Sequence, residues 1–92
     1  MQSDPELIAC VCARDASAFE TIFIRYQEVV QRHVTHIVGD EHAAADLTQE
    51  VFLRVWMRAE QWDQRGAFKS WLLTIATNLA LNHLRSLRRR RE

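Results

Sequence analysis

The stretch that decides the fold is Ala18-Phe19-Glu20-Thr21-Ile22-Phe23-Ile24-Arg25-Tyr26-Gln27-Glu28-Val29-Val30-Gln31-Arg32-His33-Val34-Thr35-His36-Ile37-Val38-Gly39. Phe19, Ile22, Phe23, Tyr26, Val29, Val30, Val34 and Ile37 recur at the i, i+3, i+4, i+7 spacing that puts apolar side chains on one side of a helix. Glu20, Thr21, Arg25, Glu28, Gln31, Arg32 and Thr35 take the other side. Gly39 stands where a helix needs a residue that accepts a left-handed backbone. Asp15 can cap this helix at its start.

Helices are expected on either side of it. Asp4-Pro5-Glu6 reads as a helix start. Asp4 can cap, proline suits the first helical position, and Glu6 favours the positive end of the dipole. That first helix is expected to end near Ala13. Asp40 can cap a third helix over about residues 41–60, with Ala44, Leu47, Val51 and Val55 as its core face. Residues 61–66 read as a short polar linker carrying one tryptophan. A fourth helix is expected from near Ala67 toward Arg89. Its core stripe would be Phe68, Leu72, Ile75 and Leu79, with a second apolar stripe of Leu73, Ala76, Ala80, Leu84 and Leu87 beside it. The fold expected is all-α, a compact bundle of about four helices.

Composition supports this class. Of 92 residues, 48% are hydrophobic, too many for a disordered chain, and only 2 are glycine and 1 proline, too few turn formers for many short strands. No apolar run approaches the roughly 20 residues of a membrane span. The N-terminal residues lack the basic region of a signal peptide, and Cys10 and Cys12 are too few for a disulfide framework. A cytoplasmic location is expected. The formal net charge is zero, but it divides unevenly: residues 1–63 carry a net of −6 and residues 64–92 a net of +6. An uneven division of this kind suggests two binding surfaces, or one surface and a tail.

Two surfaces carry candidate function. Asp46, Gln49, Glu50, Leu53 and Met57 fall within about 100° of arc on the third helix, away from its core face. Either this stripe docks on another helix, through apolar anchors and polar groups that set register, or a loop or the first helix covers Leu53 and Met57. On the fourth helix Trp71, Thr74, Asn78, Asn82 and Arg85 line one edge. Amide side chains read base edges and arginines hold phosphates. Arg65, Lys69 and the run Arg88–Arg91 add positive charge at both ends of that helix. Two solvated asparagines and a basic helix end would account for the same residues. His33 is expected in the core rather than in a site. Cys10 and Cys12 project about 160° apart on a helix, so a shared metal is not expected, and both are expected to be buried or half-buried. No nucleophile has a partner base, and no phosphate loop or metal set is present. Neither catalysis nor a cofactor is expected.

Both surfaces occur together in one family. Asp46-Leu47-Thr48-Gln49-Glu50-Val51-Phe52-Leu53-Arg54-Val55-Trp56 resembles conserved region 2.2 of bacterial sigma factors. Phe68-Lys69-Ser70-Trp71-Leu72-Leu73-Thr74-Ile75-Ala76-Thr77-Asn78-Leu79-Ala80 resembles their regions 2.3 to 2.4. Ala18-Phe19-Glu20 with Tyr26 resembles the start of the same domain. The compact form, without a large insertion, is similar to the extracytoplasmic-function (ECF) group. The resemblance implies a helical sigma region 2 domain over residues 1–87, with 88–92 opening a basic interdomain linker. It also implies that the chain is one domain of a longer protein whose region 4, the reader of the −35 element, is absent here.

The resemblance further implies a transcription initiation factor that docks on the clamp helices of the RNA polymerase β′ subunit through Asp46, Gln49, Glu50 and Leu53. It implies recognition and melting of the promoter −10 element, with the non-template strand held by Asn78, Asn82, Arg85, Arg65 and Lys69. The linker 61–68 would capture a flipped base, at an unstacking cost of a few kcal/mol. An anti-sigma factor is the expected regulator. Thr74 departs from the family, which commonly has a basic residue there, and this leaves one phosphate contact unsupported. The alternative is a stand-alone helical DNA-binding transcription regulator. It requires a short helix-turn-helix with a glycine turn. The only candidate turn, Trp62 to Gly66, precedes a long and mostly apolar helix.

Overall fold

The computed structural model describes residues 2–91. They form four helices: α1 (Asp4–Cys12), α2 (Ala16–Val38), α3 (Glu41–Arg58) and α4 (Phe68–Arg91), with one 3-10 turn, Ala59–Gln61, after α3. Among the described residues there is no strand. The helix starts are fixed by side chains that satisfy otherwise orphaned backbone donors. The Asp15 carboxylate accepts from the backbone N–H groups of Ser17 and Ala18, and Asp40 accepts from those of His42 and Ala43. Helix α1 differs from expectation: Ser3, not Asp4, is its cap. The Ser3 hydroxyl accepts from the Glu6 N–H while Glu6 reaches back to the Ser3 N–H. These bonds hold the Glu6 carboxyl below its ordinary pKa. Asp4 is thereby free for a tertiary role. Its carboxylate pairs with Arg25 at 2.7 Å and accepts from the Tyr26 hydroxyl, which ties α1 to α2.

The chain reverses at Gly39, whose φ of 73° lies in the left-handed region. Tyr26 meets Phe68 and His33 meets Thr77, so α2 and α4 run parallel, with α3 antiparallel to both. Helix α2 packs against α1, α3 and α4. Its buried residues are Ala18, Ile22, Val30 and Val34, with Phe19, Phe23, Tyr26 and Ile37 half-buried around them. His33 is half-buried, its Nε2 2.7 Å from the Thr77 hydroxyl.

Two stripes shift from their expected positions. On α3, Thr48 and Phe52 join Ala44, Val51 and Val55 in the core, while Leu47 is only half-buried. The Thr48 hydroxyl is satisfied by the Ala44 carbonyl at 2.7 Å. On α4, the buried line is Phe68, Leu72, Ala76 and Ala80, at intervals of four. Ile75, Leu79 and Leu73 are half-buried. Ala76 and Ala80 are fully buried where α4 packs against α2 and α3, where small side chains suit close helix packing. Of the expected second stripe, Ala76 and Ala80 are therefore core, Leu73 and Leu84 are half-buried, and Leu87 is exposed. Trp62, expected in a polar linker, is buried against Phe68, with ring centroids 5.4 Å apart. Cys10 is half-buried as expected, but Cys12 is exposed. The helix of α4 continues through Arg91, while Glu92, the last residue of the expected linker, lies outside the described residues.

Three consequences are testable. Phe68→Ala removes a fully enclosed ring and is expected to cost about 3–5 kcal/mol, read as a lower urea midpoint. Gly39→Ala meets no neighbouring atom, so its cost comes from the left-handed backbone alone and should be about 1 kcal/mol. Burial pushes the Tyr26 hydroxyl up to about 12 from an ordinary 10.0, and Asp4 adds to the rise. The folded state therefore favours protonated Tyr26. That stability is complete below pH 10 and is lost as pH rises toward 12. Tyr26 is the only tyrosine, so tyrosinate absorbance against pH reports it directly. Loss of the alkaline step in stability in Tyr26→Phe would confirm the source.

Candidate functional site

Helix α3 turns three sides to its surroundings. The core side carries Ala44, Thr48, Val51, Phe52 and Val55. The outward stripe of Asp46, Gln49, Glu50, Leu53 and Met57 is exposed along its whole length. Leu53 and Met57 are 51% and 50% exposed, so neither a loop nor α1 covers them. This stripe continues into a shallow apolar groove lined by Ala16, Phe19, Phe23, Phe52 and Trp56 beside Gln49 and Leu53. The groove is built by edge-to-face pairs, Phe19 on Trp56 at 5.3 Å and Phe23 on Phe52 at 4.9 Å. Arg14 clips the α1–α2 corner to its rim. It sits at φ 66°, donates to the Trp56 carbonyl and lies 5.4 Å from the Trp56 ring centroid. The groove depends on α2 lying beside α3, a pairing that spacing along either helix does not reveal.

The third side of α3 faces α4. There Arg54, Arg58 and Gln61 meet Trp71, Ile75, Asn78, Leu79 and Asn82 around a cleft of about 180 Å³. Asn78 and Asn82 are exposed and stand one turn apart on α4. The structure thus brings the expected amide pair together with Trp71 and adds two arginines and a glutamine that the sequence reading missed. Arg54 and Arg58 are four apart on α3, beside the outward stripe. The signal lay in that spacing, but only the pairing of α3 with α4 gives it meaning.

The other expected basic residues do not line the cleft. Arg65 lies in the turn before α4, where its N–H donates to Asp63 at 2.9 Å and its guanidinium lies 3.8 Å from the same carboxylate. Both side chains are well exposed, so the pair is worth little. Gln64 and Gly66 adopt positive φ in this turn, which projects Asp63, Gln64 and Arg65 into solvent while Trp62 is held inside. Lys69 is exposed on the first turn of α4, and Arg85 is exposed one turn beyond Asn82. Among the described residues, no group of histidines, cysteines and carboxylates could hold a metal ion. No helix there is long and apolar enough to cross a membrane.

Comparison with known proteins agrees with this architecture. A family model described as sigma-70 region 2 matches residues 22–90. The ECF RNA polymerase sigma factor BldN of Streptomyces coelicolor is 39% identical over 88 residues, covering 95% of this chain and 33% of that protein. The ECF RNA polymerase sigma factor SigW of Bacillus subtilis is 32% identical over 71 residues, covering 77% of this chain and 38% of that protein. The chain thus spans about a third to two-fifths of the length of these curated relatives. Among solved structures, an engineered region 2 of sigmaE, determined by NMR in complex with GTAAAA, superposes with a TM-score of 0.87 at 31% identity. The match covers 97% of this chain and 93% of that one. Backbone shape and sequence lead to one assignment: the chain belongs to the sigma-70 region 2 family, in its extracytoplasmic-function group.

Proposed function

We propose that this domain docks on the β′ clamp helices of core RNA polymerase and recognises and helps melt the promoter −10 element. The observation that carries the reading is the division of α3 and α4 into two exposed surfaces of different chemistry. One is the acidic, amide and leucine stripe of Asp46, Gln49, Glu50 and Leu53, open to solvent beside an apolar groove. Such a surface suits a partner helix, which would seat apolar side chains in the groove and fix register on the polar groups. The other is the amide and arginine cleft between α3 and α4, whose donors and acceptors suit unpaired bases and phosphates. The likeness to a region 2 solved with GTAAAA supports the same direction.

In this reading Asn78 and Asn82 meet base edges of the non-template strand. Within the linker 61–68, whose Trp62 and Phe68 are buried, the solvent-projecting residues 63–67 take the flipped base. Arg65, Lys69 and Arg85 neutralise phosphates outside the cleft. The domain works in the cytoplasm, where polymerase is. An anti-sigma factor would inhibit it by covering Leu53, Met57 and the neighbouring groove, in competition with the clamp helices. Residues 88–92 would lead toward a second, −35-reading domain.

Two binding measurements test these roles. Gln49→Ala and Glu50→Ala are expected to weaken binding of this chain to an isolated β′ clamp-helix fragment by about tenfold each, the usual loss for a charge-assisted or buried interfacial hydrogen bond. Undiminished binding in both variants would remove the docking site. Asn78→Ala is expected to weaken binding to single-stranded GTAAAA more than to a scrambled strand, and equal loss on both would mean that Asn78 reads no base.

A further inference from the structure

The wall of the cleft contributed by α3 is built of arginine, and its charge is poorly neutralised. Arg54 has one carboxylate near it, Glu50, at 3.7 Å, beyond ordinary hydrogen-bond length, and both side chains are partly exposed. The Arg54 Nε is buried without a hydrogen-bond partner. Arg58 makes no ion pair among the described residues. Two like charges four apart on a helix repel one another. Helix α3 tolerates that repulsion on the side that faces Asn78 and Asn82, and the partly exposed end of the Arg54 guanidinium and the exposed Arg58 are both open to an anion there.

We infer that Arg54 and Arg58 hold the sugar–phosphate backbone of single-stranded DNA whose bases lie against Asn78, Asn82 and Trp71. The inference rests on the reading of the cleft as a DNA site and assigns its second wall. Guanidinium groups fit the demand better than ammonium groups, because their planar fork matches two phosphate oxygens at once. The half-buried Trp71, braced against Phe68 with centroids 5.7 Å apart, offers a fixed ring for a base to stack on. The amides supply groups that distinguish bases, and the arginines supply attraction that does not. Helix α3 therefore serves both surfaces. Its outward stripe is the proposed polymerase face, and its next edge, about 40° around the helix from Glu50 to Arg54, is the proposed DNA face; Asp46 and Glu50 border a neighbouring groove with Asn82 and Ser86 of α4.

The test measures binding of the 92-residue chain to fluorescent single-stranded GTAAAA and to a scrambled strand over a range of salt concentrations. The variants are Arg58→Ala, Arg54→Gln and Asn78→Ala, each checked for native helix content. Arg58→Ala is expected to weaken both strands equally, by about tenfold. It should also lower the slope of log affinity against log salt by about 0.7, the value for one phosphate on a single strand. Arg54→Gln should behave alike, and if it fails to fold, the exposed Arg58 still decides. Wild-type affinity and slope in Arg58→Ala, with Asn78→Ala still impaired, would overturn the inference and leave the DNA reading intact. A loss confined to GTAAAA would overturn the backbone role in favour of base reading. Wild-type behaviour of all three variants would overturn both the inference and the reading on which it rests.

Discussion

Phe68 is buried where α2, the turn 62–67 and α4 converge, with Tyr26, Trp62 and Trp71 around its ring. Aromatic side chains bury large areas and hold definite relative orientations. Enclosing this one ring therefore fixes several things together. It sets where α4 begins, and hence which of its side chains face α3. It draws Trp62 inward, so that the polar residues of the turn must lie outside. Through Tyr26 it connects to Asp4 and Arg25, so α1 is held by the same assembly. The amide edge of α4 is positioned by a packing contact on the adjoining side of the helix, within about 80° of Asn78 and Asn82.

Helix α3 orders its own charges along its length. Along α3 the carboxylates Glu41, Asp46 and Glu50 precede the arginines Arg54 and Arg58. Glu41 in its first turn and Arg58 in its last complement the macrodipole. The same order of charges underlies the two proposed surfaces, the acidic stripe for a protein partner and the arginines for DNA.

What could be read from the sequence depended on whether the cause was local. The apolar period of α2, the Asp15 and Asp40 caps and the Gly39 reversal are all matters of neighbouring residues, and the structure has each of them as read. The outward stripe of α3 was legible for the same reason. The start of α1 was misread because Ser3 and Asp4 both have capping chemistry, and the choice depends on Arg25 and Tyr26, more than twenty residues away. The α4 stripe was misread because large side chains were given precedence, whereas the structure buries the small Ala76 and Ala80 in full. The arginine wall and the apolar groove were invisible for a stronger reason. Each exists only between two helices, and no periodicity within one helix encodes its neighbour.

The three-sided use of α3 gives that helix a phase as well as a composition. Adding one residue between Glu50 and Arg54 would rotate everything beyond it by about 100°, which would swing Arg54 and Arg58 out of the cleft and bring core side chains into solvent. Adding seven would nearly restore the angle, leaving about 20° of drift, but would lengthen the helix by about 10 Å at 1.5 Å per residue and carry the turn away from Phe68. The segment is therefore open to many exchanges of one side chain for another, and closed to almost any change in its length.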